Sequence, residues 1–444
     1  MEHHGHVLRD SYNAIRYDKE WQKRIIRQED KTLEKWLVLT QKSFLNWRSY
    51  TFQRQDPGVR EQIPEKFGDF VYFLQEGRFE KSAVKGGRKV QGQGGSQDHY
   101  PIYCRHPFNL VGQKLSLEEQ DSYIEVVLDM AEVPWLPKRK MRTTVVDKIK
   151  VNSDHSLIAY TLDIGNTEKC SVGIKEMRGS GTYWKDMLVE NVSQVEFFGG
   201  RHGHEVVYYV ELNEHNRPYK VVRQSLKTMK RSVLLVDEDP THYLDIAVSK
   251  DKQFLFINSG TKEDAEVWYI KSQAGGSRSS EDQDPASFTP QLLVKRQSDV
   301  RVHVDHVRDF FIMISNRSSF SKNMGVYTLK DEALEQPLEE RKQLWQDLLE
   351  LEGEIKGELK GGDSDQLVIN EFDCFEKFIA VYVTIGSRPS VLIQDLDSKQ
   401  FKKITVNNND IGRIDPMLNQ EYGQRHLRFM FDNPFVYQQM YEYQ

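Results

Sequence analysis

Acyl-transfer chemistry by a serine needs the nucleophile on a sharp strand-to-helix turn, written Gly-x-Ser-x-Gly, so that the hydroxyl stands exposed beside an oxyanion hole. No such pentapeptide occurs in the 444 residues. Gly179-Ser180-Gly181 comes nearest, but it runs into Thr182-Tyr183-Trp184 and reads as a loop. Without a nucleophile, the Asp and His of a triad have nothing to act on. His202-Gly203-His204 sits in a glycine-rich turn, and His303 and His306 are three apart on a strand and the loop after it. On a strand that spacing sends the two rings to opposite faces, which is poor for a shared metal. No His-Glu-x-x-His occurs either. Gly92-Gln93-Gly94-Gly95 faintly resembles a phosphate loop, but it precedes a strand, so no helix N-terminus awaits an anion. The expectation is therefore no catalytic residue, no cofactor and no metal.

The composition limits the partners. Hydrophobic residues make up 38% and charged residues 29%, with a net charge of -6. Mean hydropathy is -0.66 and the pI is about 6.2. This is the profile of a globular chain, without the basic footprint of a nucleic-acid binder. The densest positive run, Lys138-Arg139-Lys140-Met141-Arg142, reads as a solvated loop face. No run approaches ~18 apolar residues, so no membrane span is expected. Cys104, Cys170 and Cys374 form no C-x-x-C pair and suit a reducing compartment. The N-terminus lacks a basic segment followed by an apolar run. The cytoplasm is the expected location, with the mitochondrion as the alternative.

Two periodicities divide the chain. Residues 17–45 carry Trp21, Ile25, Ile26, Leu33, Trp36, Leu37, Phe44 and Leu45 at helical spacing. A break follows at Gln53-Arg54-Gln55-Asp56-Pro57-Gly58. Residues 1–60 are therefore assigned to an N-terminal helical segment. From Phe67 the period becomes two, with β-branched and aromatic runs separated by Gly, Asn and Asp clusters. The strands recur in groups. The clearest is Leu244 to Asp251, Gln253 to Asn258 and Glu266 to Ile270, and later groups begin near Val300, Leu367 and Ile411. A spacing of roughly 45 to 60 residues over about seven groups is that of propeller blades. One blade cannot bury both faces alone, so the groups imply one closed assembly. The predicted fold is all-β, a seven-bladed β-propeller over 61–444. Two insertions interrupt it, a polar loop over 274–282 and an amphipathic helix over 339–352. That helix carries Leu344, Trp345, Leu348, Leu349 and Leu351, and it packs on a blade edge or docks a partner.

In order along the chain, several stretches resemble the oligopeptidase B branch of the prolyl oligopeptidase family. His6 to Asp18 is similar to the opening "D-x-Y-x-W-L-R-D", with Ala14 where tryptophan is usual. Glu125-Val126-Val127-Leu128-Asp129 resembles "E-V-L-L-D-x-N". Val151-Asn152-Ser153-Asp154-His155 through Tyr160 resembles "V-S-P-D-G-x-x-L-A-Y", with Pro and Gly lost. Thr241 to Phe256 and Glu266-Val267-Trp268 match the blade "D-x-x-F-x-x-x-x-x-S-x-D-x-x-F", and Phe435 to Tyr443 the last propeller strand.

The resemblance implies a propeller that lies as a lid over a serine-peptidase active site and admits short peptides. It also implies N-terminal helices that wrap a hydrolase domain. The family's serine, aspartate and histidine would align beyond Gln444, so no catalytic residue is carried over. The expected function is a non-catalytic propeller acting as a structural or protein-interaction subunit of a larger complex. The alternative is one half, or a fragment, of a serine oligopeptidase whose propeller gates a hydrolase on another chain. Either way a protein partner is expected on the apolar helical face (Trp21, Ile25, Trp36, Leu37), with Trp345 and Leu348 as a second docking candidate.

Overall fold

The computed structural model describes residues 2–3, 6–7, 23–24, 27–31, 65–78, 99–110, 122–178, 181–199, 205–272, 288–317, 324–348, 367–385, 388–406, 412–433 and 439–444. The chain divides into two compact units, Met1–Glu61 and Gln62–Gln444. In the first, β1 (Glu2–His3) pairs with β2 (His6–Val7), and residues 23–24 and 27–31 are helical. Trp21, Ile25, Trp36 and Leu37 lie outside the described residues.

The second unit is an all-β propeller with few helices. Its antiparallel sheets follow the chain in order. The first holds β3 (Glu65–Phe67), β4 (Phe70–Arg78), β5 (His99–Pro107) and β6 (Glu125–Leu128). The second holds eight strands. These are β7 (Thr144–Val151), β8 (Leu157–Ile164), β9 (Cys170–Glu176), β10 (Thr182–Tyr183), β11 (Val189–Phe197), β12 (Val206–Leu212), β13 (Pro218–Ser225) and β14 (Arg231–Val236). The third is β15 (Tyr243–Val248), β16 (Phe254–Gly260), β17 (Ala265–Lys271) and β18 (Gln291–Val294). The fourth is β19 (Val302–Val307), β20 (Phe310–Ser315), β21 (Gly325–Lys330) and β22 (Gln346–Asp347). The fifth is β23 (Leu367–Cys374), β24 (Phe378–Ile385), β25 (Arg388–Asp395) and β26 (Phe401–Thr405). The sixth is β27 (Arg413–Pro416), β28 (Leu427–Asp432) and β29 (Gln439–Tyr443).

Burial follows from this stacking. A strand inside a sheet that is covered on both faces must be apolar at nearly every position. Phe254-Leu255-Phe256-Ile257 of β16 and Phe311 to Ile314 of β20 are buried without alternation. The outer strand β14 instead alternates between exposed and half-buried. Aromatic side chains fill the gaps between sheets. Phe254, Phe256 and Tyr269 meet Phe311, Met313 and Tyr327 between the third and fourth sheets. Ile369, Phe372 and Ile379 meet Val307, Ile312 and Val326 between the fourth and fifth.

The hairpins between the first two strands of successive sheets lock together at one end of the unit. Four of them place a residue in the left-handed region: Gly68, His155, Lys252 and Arg308. Only Gly68 is spared the strain of a Cβ there, and a Cβ at Gly68 would stand 2.5 Å from His155 Nε2. His155 falls where the resembling motif has glycine. The Phe67 ring lies 4.9 Å from the His155 ring, with Lys252 Nζ 4.9 Å from its centroid. Arg308 Nε donates to the Glu376 carbonyl at 2.6 Å, and the Tyr422 hydroxyl accepts from Arg308 N at 3.0 Å.

The seam between the sixth and first sheets differs. Among the described residues no buried apolar cluster spans it. Lys66 Nζ pairs with Glu421 at 2.7 Å, and Glu421 also accepts from Gly68 N at 3.0 Å.

Over its described residues, 339–348, the amphipathic segment does not form the predicted helix. The helix α1 covers only Leu338–Arg341, and the chain then pairs Gln346–Asp347 with Thr328 and Tyr327. Arg341 is buried, and its guanidinium donates to the carbonyls of Leu292, Ala333, Leu334 and Gln336. Those bonds turn the chain, and completing the fourth sheet outweighs helical propensity.

Candidate functional site: the axial face of the inner strands

The inner strands pack on one another along the unit: β11 on β7 within the second sheet, β15 on β11, and β23 on β19. In a propeller these strands surround the central channel. Their residues alternate by chemistry. Ile149, Val195, Ile246, Val304, Phe372 and Ile414 each enter one of the six apolar clusters. Their neighbours are polar: Lys148 and Lys150, Gln194 and Glu196, Asp245, His303 and Asp305, Glu371 and Asp373, Arg413 and Asp415. Because strand side chains have a period of two, each such pair shares one face.

These groups bind one another from inner strand to inner strand. Lys150 Nζ meets Glu196 Oε1 at 2.5 Å. The Gln194 amide donates to Asp245 and accepts from Ile246 N at 2.8 Å. Lys250, on the turn after β15, pairs with Asp373 and lies 3.8 Å above the Phe375 ring. Asn419 donates to the other Asp373 oxygen at 3.1 Å. Asp305 accepts from Lys250 N at 3.3 Å.

The electrostatics follow from crowding carboxylates in a poorly hydrated wall. Burial raises the Asp305 carboxyl to about 7, against the two backbone N–H groups it accepts from. Burial also raises Asp373, despite Lys250 and Asn419, and Glu196, despite Lys150. Glu371 is raised by burial and then by Asp373 and Asp415. His303 is open to solvent, yet surrounding protein pulls its pKa down. Such a wall can hold and sort polar or cationic groups. Among the described residues of this wall, no hydroxyl or thiol is bonded to a base, the pairing that nucleophilic attack on a peptide bond needs.

A serine, an aspartate and a histidine do meet elsewhere, as sequence spacing could not reveal. Ser259 donates to Asp237, and His242 lies 3.4 Å from the same carboxylate. The order is wrong for attack. The serine is bonded to the acid instead of the imidazole, Arg296 donates to its oxygen at 2.7 Å, and Ser259 is fully buried. Arg296 also reaches His242 Nε2 at 2.8 Å. This cluster ties the β16 end to the loop before β15.

His306 has a similar role. Its ring is fully buried, with Nδ1 2.5 Å from Asp251 and Nε2 2.9 Å from Asp331. His303 and His306 therefore serve different sides of β19, and no group of three or more metal-ligating residues forms among the described residues. All three cysteines are buried and unpaired.

The second docking candidate fails on burial. Trp345 is 9% exposed and packs with Phe311 and Met313, while Leu348 is 6% exposed and packs with Val326 and Ile369. Their apolar surface is covered by the propeller itself. Among the described residues no helix is long and apolar enough to cross a membrane.

Residues 93–433 match the family pattern described as prolyl oligopeptidase, N-terminal beta-propeller domain. The chain is 24% identical over 271 residues to protease 2 of Moraxella lacunata, which covers 60% of this chain and 33% of that protein. It is 24% identical over 216 residues to the human prolyl endopeptidase-like protein, covering 48% and 27% respectively. The chain thus spans about a third or less of the length of these relatives. Among solved structures, oligopeptidase B from Trypanosoma brucei superposes with a TM-score of 0.62 at 18% identity, over 98% of this chain and 53% of that one. Oligopeptidase B from Leishmania major gives 0.63 at 16% identity, over 86% and 46%. With the strand order, the stacked sheets and a family match over most of the sequence in agreement, the chain belongs to the prolyl oligopeptidase family and carries its N-terminal β-propeller domain.

Proposed function

We propose that these 444 residues act without catalysis of their own, as a seven-bladed propeller that engages a protein partner and screens what passes along its axis. The blade count takes the eight-stranded sheet as two blades, β7–β10 and β11–β14, joined where β9 pairs with β11. Six apolar clusters support it, one for each junction between consecutive blades, including the cluster of Val172, Val195 and Val207 inside the eight-stranded sheet. The observation that carries the functional reading is the axial band: six carboxylates on consecutive inner strands, with no nucleophile paired to a base among the described residues. Incubating the purified chain with fluorogenic Arg- and Pro-peptides tests it. No turnover is expected, and turnover abolished by a serine-directed phosphonate overturns the proposal.

A second reading has the propeller gating a hydrolase domain, encoded in the same reading frame or on another chain. Its support is the superposition on about half of each oligopeptidase B chain. An in-frame Gly-x-Ser-x-Gly downstream of Gln444, or a co-purifying polypeptide that carries one, decides for it. In that case the acidic axial wall would favour peptides with basic side chains.

A further inference from the structure

Away from the axis, a cavity of about 200 Å³ opens between the third and fourth sheets, beneath α1. Its walls come from β18 and the residues after it, the start of β19, the end of β20, and α1 with the turn that follows. Met313 and Trp345 form an apolar floor, with Leu293 beside them. The rim is cationic: Lys295, Arg296, Arg317 and Lys342 against the single carboxylate of Glu339.

Most of that charge is uncommitted. Lys295 meets Glu339 only at 3.8 Å, with both side chains well exposed. Arg317 spends one donor on the Lys342 carbonyl at 2.6 Å. Among the described residues neither Arg317 nor Lys342 has a carboxylate partner. Arg296 is engaged by Asp237 and Glu266, yet its Nε–H is buried without an acceptor. Independently, Ser315 lines the cavity, is fully buried, and its hydroxyl has no partner. An unsatisfied buried hydroxyl costs about 1–3 kcal/mol, so a polar atom that reaches it from the cavity relieves that cost.

We propose that this cavity binds a carboxylate carried on an apolar group the size of a phenyl ring or leucine side chain. The apolar group would rest on Met313 and Trp345. The carboxylate would lie among Arg317, Lys342 and Ser315 Oγ, which donates to it. A guanidinium in a fixed fork, an ammonium and a hydroxyl are the donors that match a carboxylate. The volume limits the occupant to on the order of ten non-hydrogen atoms, below the range of cofactor-sized pockets. Two sources share this chemistry, a free small acid and the C-terminus of a peptide ending in an apolar residue.

Calorimetric titration of the purified 444-residue chain with 3-phenylpropionate, paired with its primary amide, tests the site. Saturable binding of the acid is expected, with the amide at least tenfold weaker. Ser315→Ala and Arg317→Gln should each weaken the acid at least fivefold without lowering the melting temperature, and Ser315→Ala should raise that of the ligand-free chain, because it removes the unsatisfied hydroxyl. The peptide Ala-Ala-Phe, with free and amidated C-terminus, separates the sources. Tighter binding of the free peptide than of phenylpropionate assigns the chain terminus, and the reverse assigns the small acid. No saturable binding, equal binding of acid and amide, or full affinity in both folded variants overturns the proposal.

Discussion

At the scale of single residues, buried titratable groups make stability depend on pH. Burial alone would depress the His306 imidazole, but the hydrogen bonds of Asp251 and Asp331 outweigh it and raise the group to about 9. The groups facing the ring are these two carboxylates, with Asp305 adjacent on β19. A folded-state pKa above the unfolded value of about 6.5 means stabilisation that is complete below 6.5 and lost as pH rises through 9. Urea unfolding between pH 6.5 and 9.5 should show a decline on the order of 2–3 kcal/mol. His306→Gln should flatten that slope and cost about 3–5 kcal/mol at pH 7, because two buried carboxylates lose their counter-charge. Asp305 has the opposite charge but the same slope. Burial raises its carboxyl to about 7, so folding favours its protonated form and its ionisation erodes stability between about pH 4 and 7. Asp305→Asn keeps an acceptor for the N–H groups of Lys250 and His306. At pH 8 it should therefore stabilise by ~1–3 kcal/mol in the same unfolding measurement, whereas an acceptor lost with the charge would make the variant less stable.

At the scale of elements, the sheets are joined unequally. Five junctions between successive sheets are filled by aromatic and branched side chains, while the sixth-to-first junction rests on Lys66, Glu421 and the Gly68 amide. A half-exposed ion pair holds little, on the order of 1 kcal/mol. Glu421→Gln should leave global stability nearly unchanged, yet speed hydrogen exchange in β3 and β27 while β16, β20 and β24 stay protected. Uniform exchange changes across all sheets would count against a local seam. Strand positions were legible at this scale because they depend on local alternation. The groups read from Leu244, Gln253 and Glu266 appear as β15, β16 and β17, within a few residues at each end. The segment 339–348 departs from its helical pattern because Leu344 and Trp345 fit a helical face by local spacing, while the partner strand that claims Gln346–Asp347 lies some twenty residues earlier.

At the scale of the whole molecule, stacked sheets share their cores, so a deep cut in one should be felt in its neighbours. Phe311 is fully buried between the third and fourth sheets, against Phe254, Phe256, Tyr269 and His306. Phe311→Ala should cost about 3–5 kcal/mol and lower the urea midpoint seen by tryptophan fluorescence and by circular dichroism together. Separation of the two transitions would mean that the sheets unfold independently. The sequence by itself determined the class of fold and the lack of a nucleophile elbow, since periodicity and contiguous motifs are written along the chain. It also showed that His303 and His306 would part to opposite faces, a consequence of strand geometry alone. Only the tertiary structure decided which charges meet. Lys250 finds Asp373, His306 finds Asp251 and Asp331, and Ser315 comes to line a cationic cavity, because closing the sheets around an axis brings together residues that are tens to more than a hundred positions apart. The Coulomb and hydrogen-bond energies that tune these groups act over a few ångströms of space, which spacing in sequence does not encode.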